Sequence, residues 1–148
     1  MLLLASLNSC KKSRNDVIPD VYVDFTIDLR DHEFVILNSF GENVLINENT
    51  NNFGSRSAGF FYSGILVHSG IDEFFAYDRT CPHDYIENGT ISRIVIDPDN
   101  SLYAICPLCK TRYGLPVNGT PSEGPGRYPL KNYKTFFDGR WLRVWNNY

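Results

Sequence analysis

Two short cysteine-bearing segments constrain this chain more than any other feature. They are Cys81-Pro82-His83 and Cys106-Pro107-Leu108-Cys109. Between them they offer three thiols and one imidazole, the soft donors that zinc and iron–sulfur centres use. A C-x-x-C pair, and a histidine two residues past Cys81, favour a metal over a pair of plain disulfides. Any fold that uses these groups together must bring two segments, some 20 residues apart, to one place.

The surrounding pattern says how. Residues 74–78 and 102–105 are short apolar runs, and each delivers the chain to one of the cysteine segments. Each reads as a strand, so rigid elements would fix the loops that carry the chemistry. Residues 64–68 and 74–78 pair across a turn at 70–73, and residues 91–96 and 102–105 pair across the turn chemistry of Asp97-Pro98-Asp99-Asn100. Residues 21–28 alternate strictly, with Val21, Val23, Phe25 and Ile27 on one side, and residues 141–145 alternate likewise. Residues 34–37 form a short apolar run, and Val44-Leu45-Ile46 another. Residues 47–59 lack an apolar period and read as a long surface loop. Residues 114–126 are rich in Gly and Pro and read as a further loop. No segment shows a sustained helical period. The expectation is an all-β fold, a small sandwich or barrel-like arrangement.

Composition agrees and excludes one class. The chain has 148 residues, enough to bury about two thirds of its unfolded surface without needing a metal in order to fold. The aromatic share of 14% suits a strand-and-turn protein. A net charge of −3 gives no basic field for nucleic acid, so no nucleic-acid partner is expected. No Ser-His-Asp set, paired-carboxylate site or phosphate loop is identifiable, and the chain is not read as an enzyme.

Cys10 stands apart from the other three cysteines. The apolar run of residues 1–7 is too short to span a bilayer. With Leu7 three residues before Cys10 and Ser9 just before it, the stretch resembles the end of a bacterial lipoprotein signal. The basic n-region of an export signal is absent from it. The resemblance implies that residues 1–9 are a signal peptide, that Cys10 bears the lipid, and that residues 10–20 are a tether. Residues 21–148 would then be the folded domain, held to a membrane of the bacterial cell envelope.

The two cysteine segments resemble the Rieske family. Its pattern is C-x-H, a strand pair, then C-x-x-H, with two Cys on one iron of a [2Fe–2S] cluster and two His on the other. Cys81-Pro82-His83 matches the first half. Cys106-Pro107-Leu108 begins the second, and Cys109 stands where the second histidine belongs. Thr111 matches a family Ser position whose hydroxyl supports the cluster, and Tyr113 an aromatic position. Residues 119–125, with Pro121, resemble the family's third, covering loop, and Leu130 and Tyr133 match positions that close the motif. Lys110 departs from the usual Gly. The resemblance covers residues 64–133. It implies an antiparallel β-sandwich with a small metal-binding subdomain, its loops at 81–89 and 106–113. It also implies a [2Fe–2S] centre on Cys81, His83, Cys106 and Cys109, with Thr111 and Pro121 beside it. The function implied is electron transfer with a redox partner protein docking over the His83 loop.

Zinc is the competing metal, since Cys3His is a common structural zinc set. That reading makes the domain a zinc-stabilised binding module without redox activity. The one-residue spacing of Cys81-Pro82-His83 is shorter than usual zinc knuckles. Thiol–disulfide chemistry at Cys106 and Cys109 is a third possibility, although the following residues do not look like the helix start that such pairs use. Elsewhere, His68 alternates along a strand and reads as a surface residue, and His32 as solvated loop. Tyr77 and Tyr103 read as core packing near the site. Arg79 and Arg112 flank the cysteine segments and either offset its charge or lie on the surface.

Overall fold

The computed structural model describes residues 17–146. The described residues form eleven strands and one short α-helix: β1 (Asp24–Asp28), β2 (Asn43–Ile46), β3 (Phe53–Arg56), β4 (Ile65–Ser69), β5 (Phe74–Asp78), α1 (Pro82–Asn88), β6 (Val95–Ile96), β7 (Tyr103–Ile105), β8 (Arg112–Gly114), β9 (Thr120–Glu123), β10 (Asn132–Phe137) and β11 (Trp141–Trp145). The fold is all-β, as the alternating pattern implies. Seven strands make one antiparallel sheet in the order β2-β4-β5-β10-β11-β1-β3, and four make a second in the order β6-β7-β8-β9.

The large sheet curls over its own apolar face. Val23, Phe25, Ile27, Leu142 and Val144 from one half meet Ile46, Ile65, Val67 and Ala76 from the other, all at most 1% exposed. The opposite face of β4 and β5 receives the small sheet. There Leu66 and Tyr77 pack with Cys81, Ile94, Ala104, Cys106, Tyr113, Leu115 and Leu130. Tyr77 ties the layers with a 2.6 Å hydrogen bond to the Leu115 carbonyl.

The small sheet is an insertion between β5 and β10. The chain leaves the large sheet at Asp78 and returns at Lys131, and the Asp78 amide donates to the Lys131 carbonyl at 2.8 Å. The Asp78 carboxylate, fully buried, organises this neck. It accepts from the amides of Phe60 (2.7 Å) and Thr80 (2.9 Å) and from the Tyr133 hydroxyl (2.6 Å).

Four local expectations change. Within the expected loop at 47–59, β3 pairs with β1 as an edge strand. Gly54, at φ +103, permits this, because a Cβ there would lie 2.7 Å from the Asp24 carbonyl oxygen. The apolar run at 34–37 forms a 3-10 turn, Val35–Asn38, that buries Leu37 and exposes Val35 and Ile36. The Gly/Pro stretch contains β9, which pairs with β8. Finally, α1 follows Cys81. At seven residues it is too short to show a period, and its signals are Pro82 at the first turn and Gly89, left-handed at φ 64, beyond its end.

Candidate metal centre

Both cysteine segments leave strands at the junction of the two sheets. The first continues from β5 through the neck. The Cys81 amide donates to the Ser92 carbonyl at 2.7 Å, and Cys81 then caps α1, accepting from the Tyr85 amide at 3.2 Å. The Tyr85 ring meets Phe60 edge-on at 5.3 Å, so the helix is clamped to the large sheet's loop. The second segment leaves β7 and reverses within one turn. The Lys110 amide donates to the Cys106 carbonyl and the Cys106 amide to the Thr111 carbonyl, both at 2.9 Å. Lys110 takes a left-handed conformation, φ 65, to close that turn.

The three sulfurs meet. Cys81 Sγ lies 3.7 Å from Cys109 Sγ and 3.4 Å from the Tyr113 hydroxyl. The Cys109 thiol donates to Thr111 Oγ1 at 3.1 Å, and the Gly126 amide donates to the same oxygen at 2.9 Å. The Cys106 thiol donates to Asp84 Oδ2 at 2.9 Å. One donor atom from each of Cys81, Asp84, Cys106 and Cys109 lies within 4.8 Å of all the others. Cys81, Cys106 and Asp84 are buried and Cys109 is half-buried, so the group opens to solvent on the Cys109 side.

The electrostatics follow from this packing. A hydrogen bond with Cys106 lowers the Cys81 thiol's pKa below its ordinary value, with help from Tyr113. Cys106 moves the other way, raised by that same bond, by burial and by Asp84. Burial pushes Cys109 up, partly offset by the Thr111 hydroxyl. Burial, then the bond to Cys81, keeps the Tyr113 hydroxyl protonated and able to donate. A divalent ion or an iron–sulfur core would take the place of thiol protons here, and the sulfur-rich set fits both.

Not every residue singled out by the sequence joins this group. Cys81, Cys106 and Cys109 do. His83 is half-buried and lines a separate cleft of about 450 Å³ with Glu87, Pro125, Arg127 and Tyr128. Thr111 is buried against Cys109, whereas Pro121 sits in β9 opposite Tyr113. The turn at 124–126 is what covers Thr111: a Cβ on Gly126 would lie 2.5 Å from Thr111 Cγ2. Cys10 lies outside the described residues, as do residues 1–9, expected to be a signal peptide, and most of residues 10–20, expected to be a tether. Arg112 pairs with Asp97 at 2.7 Å and lies over the Tyr103 ring, and Arg79 donates to the Ile94 carbonyl.

His68 is not a surface residue. It is fully buried, because small-sheet packing covers the face of β4 that would otherwise meet water. Its Nδ1 lies 2.7 Å from Asn43 Oδ1, its Nε2 has no partner, and burial pulls its pKa down to about 4. His32 is exposed, beside Asp31 and Glu33. Asp84 is the residue that sequence reasoning missed. The signal the sequence holds is Pro82 at the first turn, but a helix of two turns shows no period, so the spacing of Cys81 and Asp84 does not by itself say that they share a face.

No family model matches the chain, and no curated protein matches it. Among solved structures, the ferredoxin of carbazole 1,9a-dioxygenase from Nocardioides aromaticivorans IC177 is similar at 17% identity. The match covers 72% of this chain and 86% of that one, with a TM-score of 0.43.

Proposed function

We propose that this chain is a Rieske-type electron-transfer protein of the bacterial cell envelope, lipid-anchored at Cys10, with a [2Fe–2S] cluster at its three-thiol centre. The observation that supports this is the convergence of Cys81, Cys106 and Cys109 from two strand ends, with hydroxyls of Tyr113 and Thr111 on two of the sulfurs. Hydrogen bonds to ligand sulfur, burial and net charge are the levers by which a protein sets such a centre's potential.

When bound, the cluster supplies one-electron transfer. Cys81 and Cys106, both buried in the apolar layer between the sheets, would hold it from within. Cys109, beside the exposed Leu108, forms the accessible side, where a redox partner protein docks. A two-iron core of formal charge about +2 becomes about −1 with three thiolates, and a more negative centre resists an added electron. The potential therefore falls from the Rieske range toward the roughly −400 mV of all-Cys ferredoxins.

A second reading has its own observation. All four donor atoms lie within 4.8 Å of one another, which suits a single ion such as Zn2+ holding every ligand at about 2.0–2.3 Å. The domain is then a zinc-stabilised binding module.

The test is anaerobic purification followed by metal analysis and a visible spectrum. A brown protein with two irons, bleached by dithionite, supports the cluster, and a colourless one with one zinc overturns it. Cys109→His retains the cluster and raises its potential; an unchanged or lower value refutes the charge argument. Cys10→Ala moves the protein from the membrane to the soluble fraction, and retention at the membrane removes the lipid anchor.

A further inference from the structure

The Rieske pattern gives the fourth donor to His83, but the folded chain offers a different residue. We infer that Asp84 supplies the fourth donor of the thiol centre, making it a Cys3Asp set, and that His83 is not a ligand. This rests on the reading of the three thiols as a metal centre, and the geometry it is argued from is that of a single ion.

Three independent features of Asp84 carry the inference. The first is placement. Cys81 caps α1 and Asp84 lies three residues on, so both project from the same face of the first turn. His83, one residue earlier, is turned about 100° around the helix and lines the cleft of Glu87, Arg127 and Tyr128. The second is proximity. Asp84 Oδ2 lies 2.9 Å from Cys106 Sγ, and a carboxylate oxygen of Asp84 lies within 4.8 Å of all three sulfurs.

The third is compensation. Asp84 is 1% exposed, and among the described residues no Lys, Arg or His forms an ion pair with it. Among the described residues, the side-chain hydrogen bond given to its carboxylate comes from the Cys106 thiol. Buried carboxylates are normally paired with a cation or bound to a metal. The other buried carboxylate near the neck, Asp78, shows the contrast: its oxygens are filled by two amides and a hydroxyl. Asp84 has the same burial with one weak partner, and that partner is itself a prospective ligand. A metal cation at this point relieves the buried charge and takes the place of the thiol proton. Carboxylate oxygen accompanies thiolate and imidazole in zinc coordination, so the donor is chemically suited.

The experiment uses the full chain with Co2+ and Zn2+ as probes. Co2+ reports thiolate ligation through its charge-transfer absorption, and Zn2+ affinity is read by competition with a chromophoric chelator. Asp84→Asn lowers Zn2+ affinity by more than about 100-fold, beyond the usual cost of losing an outer partner. It retains the thiolate–cobalt bands at saturating metal, because three sulfurs remain. His83→Ala leaves affinity and spectrum unchanged. Asp84→His, which restores a donor at the same position, recovers most of the affinity. Circular dichroism of each apo variant separates lost binding from lost folding. If Asp84→Asn folds and binds as tightly as wild type, or if His83→Ala is the variant that loses metal, the inference is overturned alone. A wild-type chain that takes up neither metal overturns the inference together with the metal reading beneath it.

Discussion

The two cysteine segments reach one centre by different means. Cys106 and Cys109 sit in a tight turn whose own backbone bonds, Lys110 to Cys106 and Cys106 to Thr111, set their separation. Cys81 sits at a helix start that is oriented from outside, through Asp78 at the neck and the Phe60–Tyr85 contact. Spacing along the chain is a good guide to the first kind of construction, because the turn is local. It is a poor guide to the second, because a helical turn decides which of two adjacent residues, His83 or Asp84, faces inward.

That difference can be tested by loosening each support. The largest effect is expected at Asp78. Asp78→Ala leaves two buried amides and a buried hydroxyl without their acceptor and costs about 3–5 kcal/mol in urea unfolding. If the first segment depends on the neck, metal affinity of the surviving folded protein falls with it. Unchanged stability would mean that the neck does not position Cys81.

Acid should act on the shared layer beneath both segments. His68 is buried and neutral, with its pKa held at about 4 by burial, whereas an unfolded His titrates near 6.5. Between those values the unfolded chain binds more protons, so stability rises with pH across the window. Acidification from pH 7 to 4 removes up to about 3 kcal/mol from this group, and His68→Gln flattens that part of the pH–stability curve. An identical curve for the variant would show that His68 is not its source.

A smaller effect falls on the second segment alone. Gly126→Ala places a Cβ 2.5 Å from Thr111 Cγ2 and disturbs the amide bond to Thr111 Oγ1, at a cost of about 2 kcal/mol. The Thr111 contact with Cys109 is disturbed with it, so a metal-loaded protein shows a shifted thiolate absorption band. The smallest change should be favourable. Lys110 holds φ 65 in the closing turn, and Lys110→Gly relieves that strain for a gain of about 0.5 kcal/mol, read as a higher midpoint in the same denaturation. A loss there would mean that the Lys110 side chain contributes more than its backbone strain costs.

The alternating runs at 21–28 and 141–145 were legible as strands because each has one face in the core and the chain displays that face every second residue, and the run at 74–78 was legible as a short apolar strand because both of its faces are covered. β3 was not legible, because an edge strand of Phe53–Arg56 is held by backbone pairing to β1 and needs no apolar period. α1 was obscured for the opposite reason: two turns are too few to display a period.

By itself, the sequence determined the all-β architecture and the three thiols that lie together, since both follow from local patterns of two to four residues. Only the tertiary structure decided that His68 is buried, because a second sheet covers its strand. Only the tertiary structure, likewise, turned Asp84 toward the sulfurs and His83 toward the cleft, because the orientation of a helix is set by what it packs against.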